Sequence, residues 1–253
     1  KIWDAFRLVT CLYTDEAWQP TGNKLAVKWF EAKLKETNAE VDDLFRKYRI
    51  SEALMAVYRL FWDEFSSWYL EMIKPEYQKP LDKDTYDATL RFFEVLLKML
   101  HPFMPFITEE LWQNIYERRD GDSIMRDKLE LSSPSADETA LISDVEKLKT
   151  IIGGVRTIRN QKNISPREAL SLQIVGSNAL EQYNSVLFKM ANLDAIDVVA
   201  EKKGTVSSFM VGTAEYAVPL GDKIDVSVEI EKIETQLKHL ESFLAGINKK
   251  LSN

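Results

Sequence analysis

Apolar residues recur along the first half of this chain in steps of three and four. Leu54, Val57, Tyr58, Phe61, Phe65, Trp68, Tyr69, Met72 and Ile73 make one such stripe, the spacing that gathers side chains on one face of a 3.6-residue helix. It predicts a central helix over 51–74, ended where Lys74 precedes Pro75, because proline disfavours the helical conformation of the residue before it. Ile2, Trp3, Phe6, Val9 and Leu12 predict a first helix. A loop over 12–22 follows, with Tyr13, Trp18 and the turn residues Gln19-Pro20-Thr21-Gly22. Leu25, Trp29, Phe30, Leu34, Val41 and Phe45 predict a second helix from a cap at Asn23 to Tyr48. A fourth, capped by Asp84, is apolar nearly all round from Leu90 to Leu100 and is expected to be deeply buried. Pro102 and Pro105 break that run. A fifth helix opens at Thr108 and runs to Arg118, with Glu109 and Glu110 in the first turn, where the helix dipole favours negative charge. Trp68 is expected among the buried anchors, since truncating a buried Phe or Trp removes about 3–5 kcal/mol from the roughly 5–15 kcal/mol that holds a domain folded.

The pattern changes in the second half. Residues 119–136, with Gly121 and the SSPSAD tract, read as a linker. From Asp137 a helix carries the stripe Leu148, Ile151, Ile152, Val155 and Ile158. Runs rich in Val, Ile, Phe and Tyr predict strands at 171–175, 195–200, 207–211 and 215–220, with a helix over 178–192 between the first two. From Val226, the positions Ile230, Ile233, Leu237, Leu240, Leu244, Ile247 and Leu251 form a heptad seam flanked by Glu and Lys. The fold class is therefore mainly α: an antiparallel helical bundle over 1–130, a small α+β unit over 131–225, and the start of a coiled-coil helix over 226–253. Residue 1 lies within a helical pattern that has no cap, and the seam lacks a partner helix. Both ends are expected to be trimmed, with the seam's partner beyond the end or on another chain.

Two stretches carry a resemblance. The helix FWDEFSSWYLEMIKP (61–75) and the corner HPFMPFITEELW (101–112) resemble the anticodon-binding helical domain of class I aminoacyl-tRNA synthetases. The corner is shared by relatives that handle branched aliphatic amino acids. The WDEF–WYLE–KP helix and KIWDAFRLV at the start resemble the valyl-tRNA synthetase family in particular. That resemblance implies a parent enzyme joining valine to its tRNA with ATP and Mg²⁺, and a segment whose own task is to bind and position that tRNA. It also implies a cytoplasmic enzyme, and a monomer unless the heptad seam pairs between chains. Two other readings stand beside it. One is the same region of an isoleucyl or leucyl relative, against which the WYLE–KP helix counts. The other is a helical adaptor that is not an enzyme and recruits a protein through its seam.

Composition narrows the field. Hydrophobic residues are 45% and glycines number only 9, which suits a helix-rich chain with a large core. The single cysteine, Cys11, excludes an internal disulfide framework and fits a reducing compartment. No apolar run has the length of a membrane span. Catalytic chemistry is thinly represented. The two histidines are His101 in the proline corner and His239 in the heptads, and each reads as structural. No glycine-rich phosphate loop, no Cys/His metal spacing and no synthetase nucleotide signature occurs, so no catalytic residue and no metal ligand is expected in this chain.

The charge is what points to RNA. The net charge is −7, yet residues 146–170 hold six bases, Lys147, Lys149, Arg156, Arg159, Lys162 and Arg167, against Glu146 and Glu168. Lys149, Arg156 and Asn163 are seven apart and share a helical flank; Arg159 falls in the apolar arc, where a charge needs a partner. This helix either meets phosphate or is a solvated flank with one internal ion pair. Thr150, Gly153, Gly154, Thr157 and Asn160 form a smooth face on it. Unpaired bases are read by aromatic and guanidinium planes, and Arg7 and Trp18 offer both. Arg7 matches the arginine that follows the family's KLWNA-type stretch. Trp18 lies where the family's length varies, and otherwise plugs the bundle end. The expected tRNA-binding residues are thus Arg7, Trp18, Lys149, Arg156, Arg159 and Lys162.

Overall fold

The computed structural model describes residues 2–10, 14–15, 21–75, 79–130, 132–221, 237–238, 240–241 and 243–244. The chain is mainly helical with a small sheet. It divides into two units, Lys1–Ile152 with Leu180–Ala191, and Gly153–Ala179 with Asn192–Asn253. The sequence pattern divides the chain at residue 131. The packing divides it inside a helix instead, because the first part of that helix is tied to the bundle by side-chain contacts given below.

In the first unit, α1 (Ile2–Thr10), α2 (Thr21–Arg46), α3 (Ile50–Arg59), α4 (Leu70–Ile73), α5 (Lys83–Leu100) and α6 (Pro105–Ile115) form the bundle. A short parallel pair, β1 (Thr14–Asp15) and β2 (Leu81–Asp82), joins its loops. The core is aromatic. Trp29, Phe30, Phe65, Tyr69 and Phe93 are fully buried, and the Phe30 ring lies 4.9 Å from Tyr69 and 5.3 Å from Phe65 and Phe92. The Tyr69 hydroxyl pairs with Thr89 Oγ1 at 2.7 Å, and burial pushes its phenol above the ordinary range.

The central helix differs from its expected form. Between α3 and α4 the backbone is a π-helix over Leu60–Tyr69. Ser66 and Ser67 donate to the carbonyls of Phe61 and Trp62, five residues back, at 2.9 and 3.0 Å. Widening has a consequence for side chains. A row at steps of four drifts round an α-helix of 3.6 residues per turn, but here Val57, Phe61, Phe65, Tyr69 and Ile73 are all buried. Of the other four residues in that stripe, Met72 is buried and Trp68 half-buried, while Leu54 and Tyr58, both in α3, are exposed. Trp68 is thus not one of the sealed anchors.

Three caps also differ. Asp82, not Asp84, caps α5, its Oδ1 accepting from the Thr85 N–H at 2.8 Å. Asn23 lies inside α2 and donates Nδ2 to Asp82 Oδ2 at 2.9 Å, which accounts for two buried polar groups at once. Helix α6 starts at Pro105, because proline needs no intrahelical partner at the first helical position. Thr108 then donates to the Met104 carbonyl and meets His101 Nδ1, each at 2.8 Å, so His101 has a structural partner.

Helix α7 (Ala136–Gln161) opens with reciprocal capping. The Ser135 N–H donates to Glu138 Oε2 at 2.8 Å and the Glu138 N–H to Ser135 Oγ at 3.2 Å. Glu138 also receives Lys35 of α2 at 2.5 Å. Helix α8 (Asn184–Ala191), preceded by a 3₁₀ turn at Glu181–Tyr183, belongs to the same unit, with Tyr183 donating to Asp144 at 3.3 Å.

The second unit carries the end of α7 and a four-stranded sheet ordered β4-β3-β6-β5. Its strands are β3 (Leu170–Val175), β4 (Leu193–Val199), β5 (Val206–Val211) and β6 (Ala214–Pro219), each within two residues of the run that the sequence marks. Strands β3 and β4 are parallel, and β6 runs antiparallel to both β3 and β5. Gly154 of α7 lies under the Phe209 ring of β5, which stacks on Tyr216 at 5.7 Å. Of the heptad seam, Leu237, Leu240 and Leu244 are helical and exposed. Its other positions, with Cys11, Trp18 and His239, lie outside the described residues.

Candidate RNA-binding residues

The basic stretch resolves into residues with opposite fates. Helix α7 ends at Gln161, and Asn163 takes a left-handed backbone, φ 53°. A short polar side chain tolerates that conformation, and such a residue commonly closes a helix. Asn163 is therefore past the helix and does not extend the flank of Lys149 and Arg156. The chain doubles back there, bringing the carbonyls of Ser165 and Glu168 over the last turn.

Arg159 fills that fold. It is 5% exposed, donating Nη1 to the carbonyls of Ser165 and Glu168 at 3.1 and 2.6 Å and Nη2 to that of Asn192 at 2.9 Å. Its burial is met by backbone carbonyls, with the charge of Glu168 acting on it as well. Burial lowers its pKa from the ordinary value, and the charge of Glu168 opposes that. With its guanidinium committed to three carbonyls, Arg159 positions the loop that leads into β3.

Lys149 is likewise internal. It sits in the first unit, 9% exposed, with its ammonium donating to Glu64 of the π-helix and to Glu146 at 2.8 Å. The same Nζ lies 4.7 Å from the Trp29 ring centre and 5.7 Å from that of Trp68. A cation between aromatic faces and two carboxylates is satisfied where it stands.

Arg7 and Arg156 are the exposed members, and Lys162 is half-buried. Arg7 occupies the last turn of α1, whose Ala5 and Val9 are buried, so its guanidinium is on the solvent side. Arg156 follows the buried Val155 on the outer face of α7. Both can take a phosphate or lie flat on a base. They fall in different units, Arg7 in the first, Arg156 and Lys162 in the second.

The sequence pattern missed a pair of stacked rings. Tyr58 and Trp62 lie parallel, 5.6 Å apart at 10°, with Tyr58 open to solvent. The 3.6 period assigns Tyr58 to the core, yet in α3 it is exposed.

A family model described as the anticodon-binding domain of tRNA ligase matches residues 27–174. The chain belongs to that family. The match covers α2 through β3, and so takes in Lys149, Arg156, Arg159 and Lys162. Among curated proteins, the valine–tRNA ligase of Phocaeicola vulgatus is 55% identical over the whole of this chain, and that of Bacteroides thetaiotaomicron is 56% identical. The valine–tRNA ligase of Thermotoga maritima is 30% identical over the same span. In each case the chain spans 29% of the relative's length.

Among the described residues no donor set fits Mg²⁺. Among the described residues no group of three or more His, Cys, Asp or Glu is placed to hold a metal ion, and the sequence lacks a glycine-rich phosphate loop. No described helix is long and apolar enough to cross a membrane.

Proposed function

We propose that this chain is the tRNA-binding part of a valine–tRNA ligase, a cytoplasmic enzyme that joins valine to its tRNA with ATP and Mg²⁺ held elsewhere in the polypeptide. The observation that carries this reading is the likeness to valine–tRNA ligases along every part of the chain, bundle and sheet unit alike. Arg7 reads or stacks on an anticodon base. Arg156 and Lys162 meet the phosphate backbone, while Lys149 and Arg159 act through the structure they hold. Trp18 joins Arg7 at the anticodon. The working enzyme is a monomer that engages one tRNA together with the rest of the synthetase. A competition titration of the chain against several unmodified tRNAs tests this: the valine acceptor should displace the others, and equal displacement would refute it.

A further inference from the structure

Arg167, the last base of the stretch over 146–170, is exposed at the tip of a tightly built turn. Past α7, the Ile164 N–H donates to the Arg159 carbonyl at 2.9 Å and the Ile164 side chain is buried, as happens where a left-handed residue such as Asn163 closes a helix. The Glu168 N–H then donates to the Ser165 carbonyl at 3.1 Å, with Pro166 and Arg167 as the two central residues of the turn. Proline presets the first of those positions. The Ser165 hydroxyl accepts from the Arg167 N–H at 3.3 Å. From outside the turn, Arg159 donates to the carbonyls of Ser165 and Glu168, and Asn192 Nδ2 donates to those of Pro166 and Glu168 at 3.0 and 3.2 Å.

A second cation is held in the same way. The connection from β4 to β5 passes over Gln173 of β3, which is 7% exposed. Gln173 Nε2 donates to the Lys203 carbonyl at 3.4 Å, and Oε1 accepts from the Lys203 N–H at 3.2 Å. Lys203 itself is exposed. Both cations lie along β3, Arg167 three residues before its first position and Lys203 over its fourth.

Neither cation is matched by a carboxylate. Among the described residues the Arg167 guanidinium and the Lys203 ammonium have no partner, whereas the neighbouring Lys202 pairs with Glu215 at 2.9 Å. Fixing one residue's backbone costs about 1–2 kcal/mol, and here buried Arg159 and Gln173 fix the main chain beneath cations that the fold leaves unused. Cations held in place before binding suit a polyanion, whose phosphates must be neutralised.

We infer that Arg167 and Lys203 contact the phosphate backbone of the tRNA, with Arg159, Asn192 and Gln173 as positioning residues. The inference rests on the proposed function and extends the RNA contact to the turn before β3 and the connection that crosses it.

The salt dependence of tRNA binding to the 253-residue chain tests this. Arg167→Gln and Lys203→Gln should each lower the slope of log affinity against log salt by about 0.7–0.9, and the double variant by about twice that, with the melting temperature unchanged. Arg167→Lys should keep the slope. Asn192→Gly suits the left-handed backbone, φ 50°, and removes only the two bonds to the turn. It should weaken binding in the parent and have no further effect in Arg167→Gln, a coupling that a general loss of structure would not produce. An unchanged slope in either glutamine variant would overturn the inference, as would an equal Asn192→Gly loss in both backgrounds. Phosphate contacts carry no sequence information, so the slopes should fall for every tRNA. Lowered slopes with equal displacement among tRNAs would uphold these contacts and refute the valine reading alone.

Discussion

Lys149 holds its ammonium 4.7 Å from the ring centre of Trp29, and both residues are interior. A charge in that position endures because Glu64 and Glu146 accept from it. Lys149→Ala removes the cation and leaves Glu64 poorly solvated, a loss of about 3–5 kcal/mol for a broken buried pair. Lys149→Met with Glu64→Leu should recover much of that. Urea denaturation of the parent and the two variants gives the comparison, and a loss below about 0.5 kcal/mol in the single variant would return Lys149 to the surface.

Arg159 and Arg7 should separate cleanly. Arg159→Met abandons three part-buried carbonyl contacts and should destabilise the second unit by about 1–3 kcal/mol. Arg7→Ala, from an exposed site, should leave the melting temperature in place while weakening tRNA binding and lowering the salt slope by about one contact. If Arg7→Ala melts early, its role is in folding.

The paired glycines of α7 are predicted to respond with opposite signs. A Cβ at Gly153 meets nothing within 4 Å, so Gly153→Ala should stabilise by about 0.5–1 kcal/mol through helix propensity. At Gly154 the added carbon falls 2.3 Å from the Phe209 ring. Gly154→Ala should therefore destabilise, and Phe209→Leu should relieve it. Thermal melts of the three variants are sufficient.

A pH effect follows from the start of α7. Lys35 and the Ser135 N–H hold the Glu138 carboxyl below its ordinary range, and Lys98 does the same for Asp127. A carboxylate depressed in the folded state lends stability above its unfolded pKa, about 4.3 for Glu, and loses it as pH falls through the folded value. Denaturation midpoints of the parent should drop as pH falls below that range. Lys35→Met should flatten the drop; an unchanged pH profile would show that the pair adds nothing.

Periodicity made the helices and the four strands legible because each has a face to bury. It failed where the backbone left the 3.6 period: nothing in the spacing of Val57, Phe61, Phe65 and Tyr69 distinguishes a π-helix from an α-helix, so Trp68 reads as buried. Tyr58 also reads inward, yet it is exposed in the α-helical α3. The capping pair Ser135 and Glu138 has the S-x-x-E signature and was open to reading. The partners of Lys149 and Arg159 were not, since Glu64 and Asn192 lie 85 and 33 residues away in sequence. The exposed Arg7 followed from family likeness to the first helix, not from charge.

The central claim is anticodon-dependent tRNA binding. Its most direct measurement is filter binding at low ionic strength of the valine-accepting tRNA, intact and with its anticodon replaced, to the parent and Arg7→Ala. Tighter binding of the intact tRNA by the parent, with most of the difference erased in Arg7→Ala, is the expected result. Equal binding of both tRNAs by the parent would contradict the account.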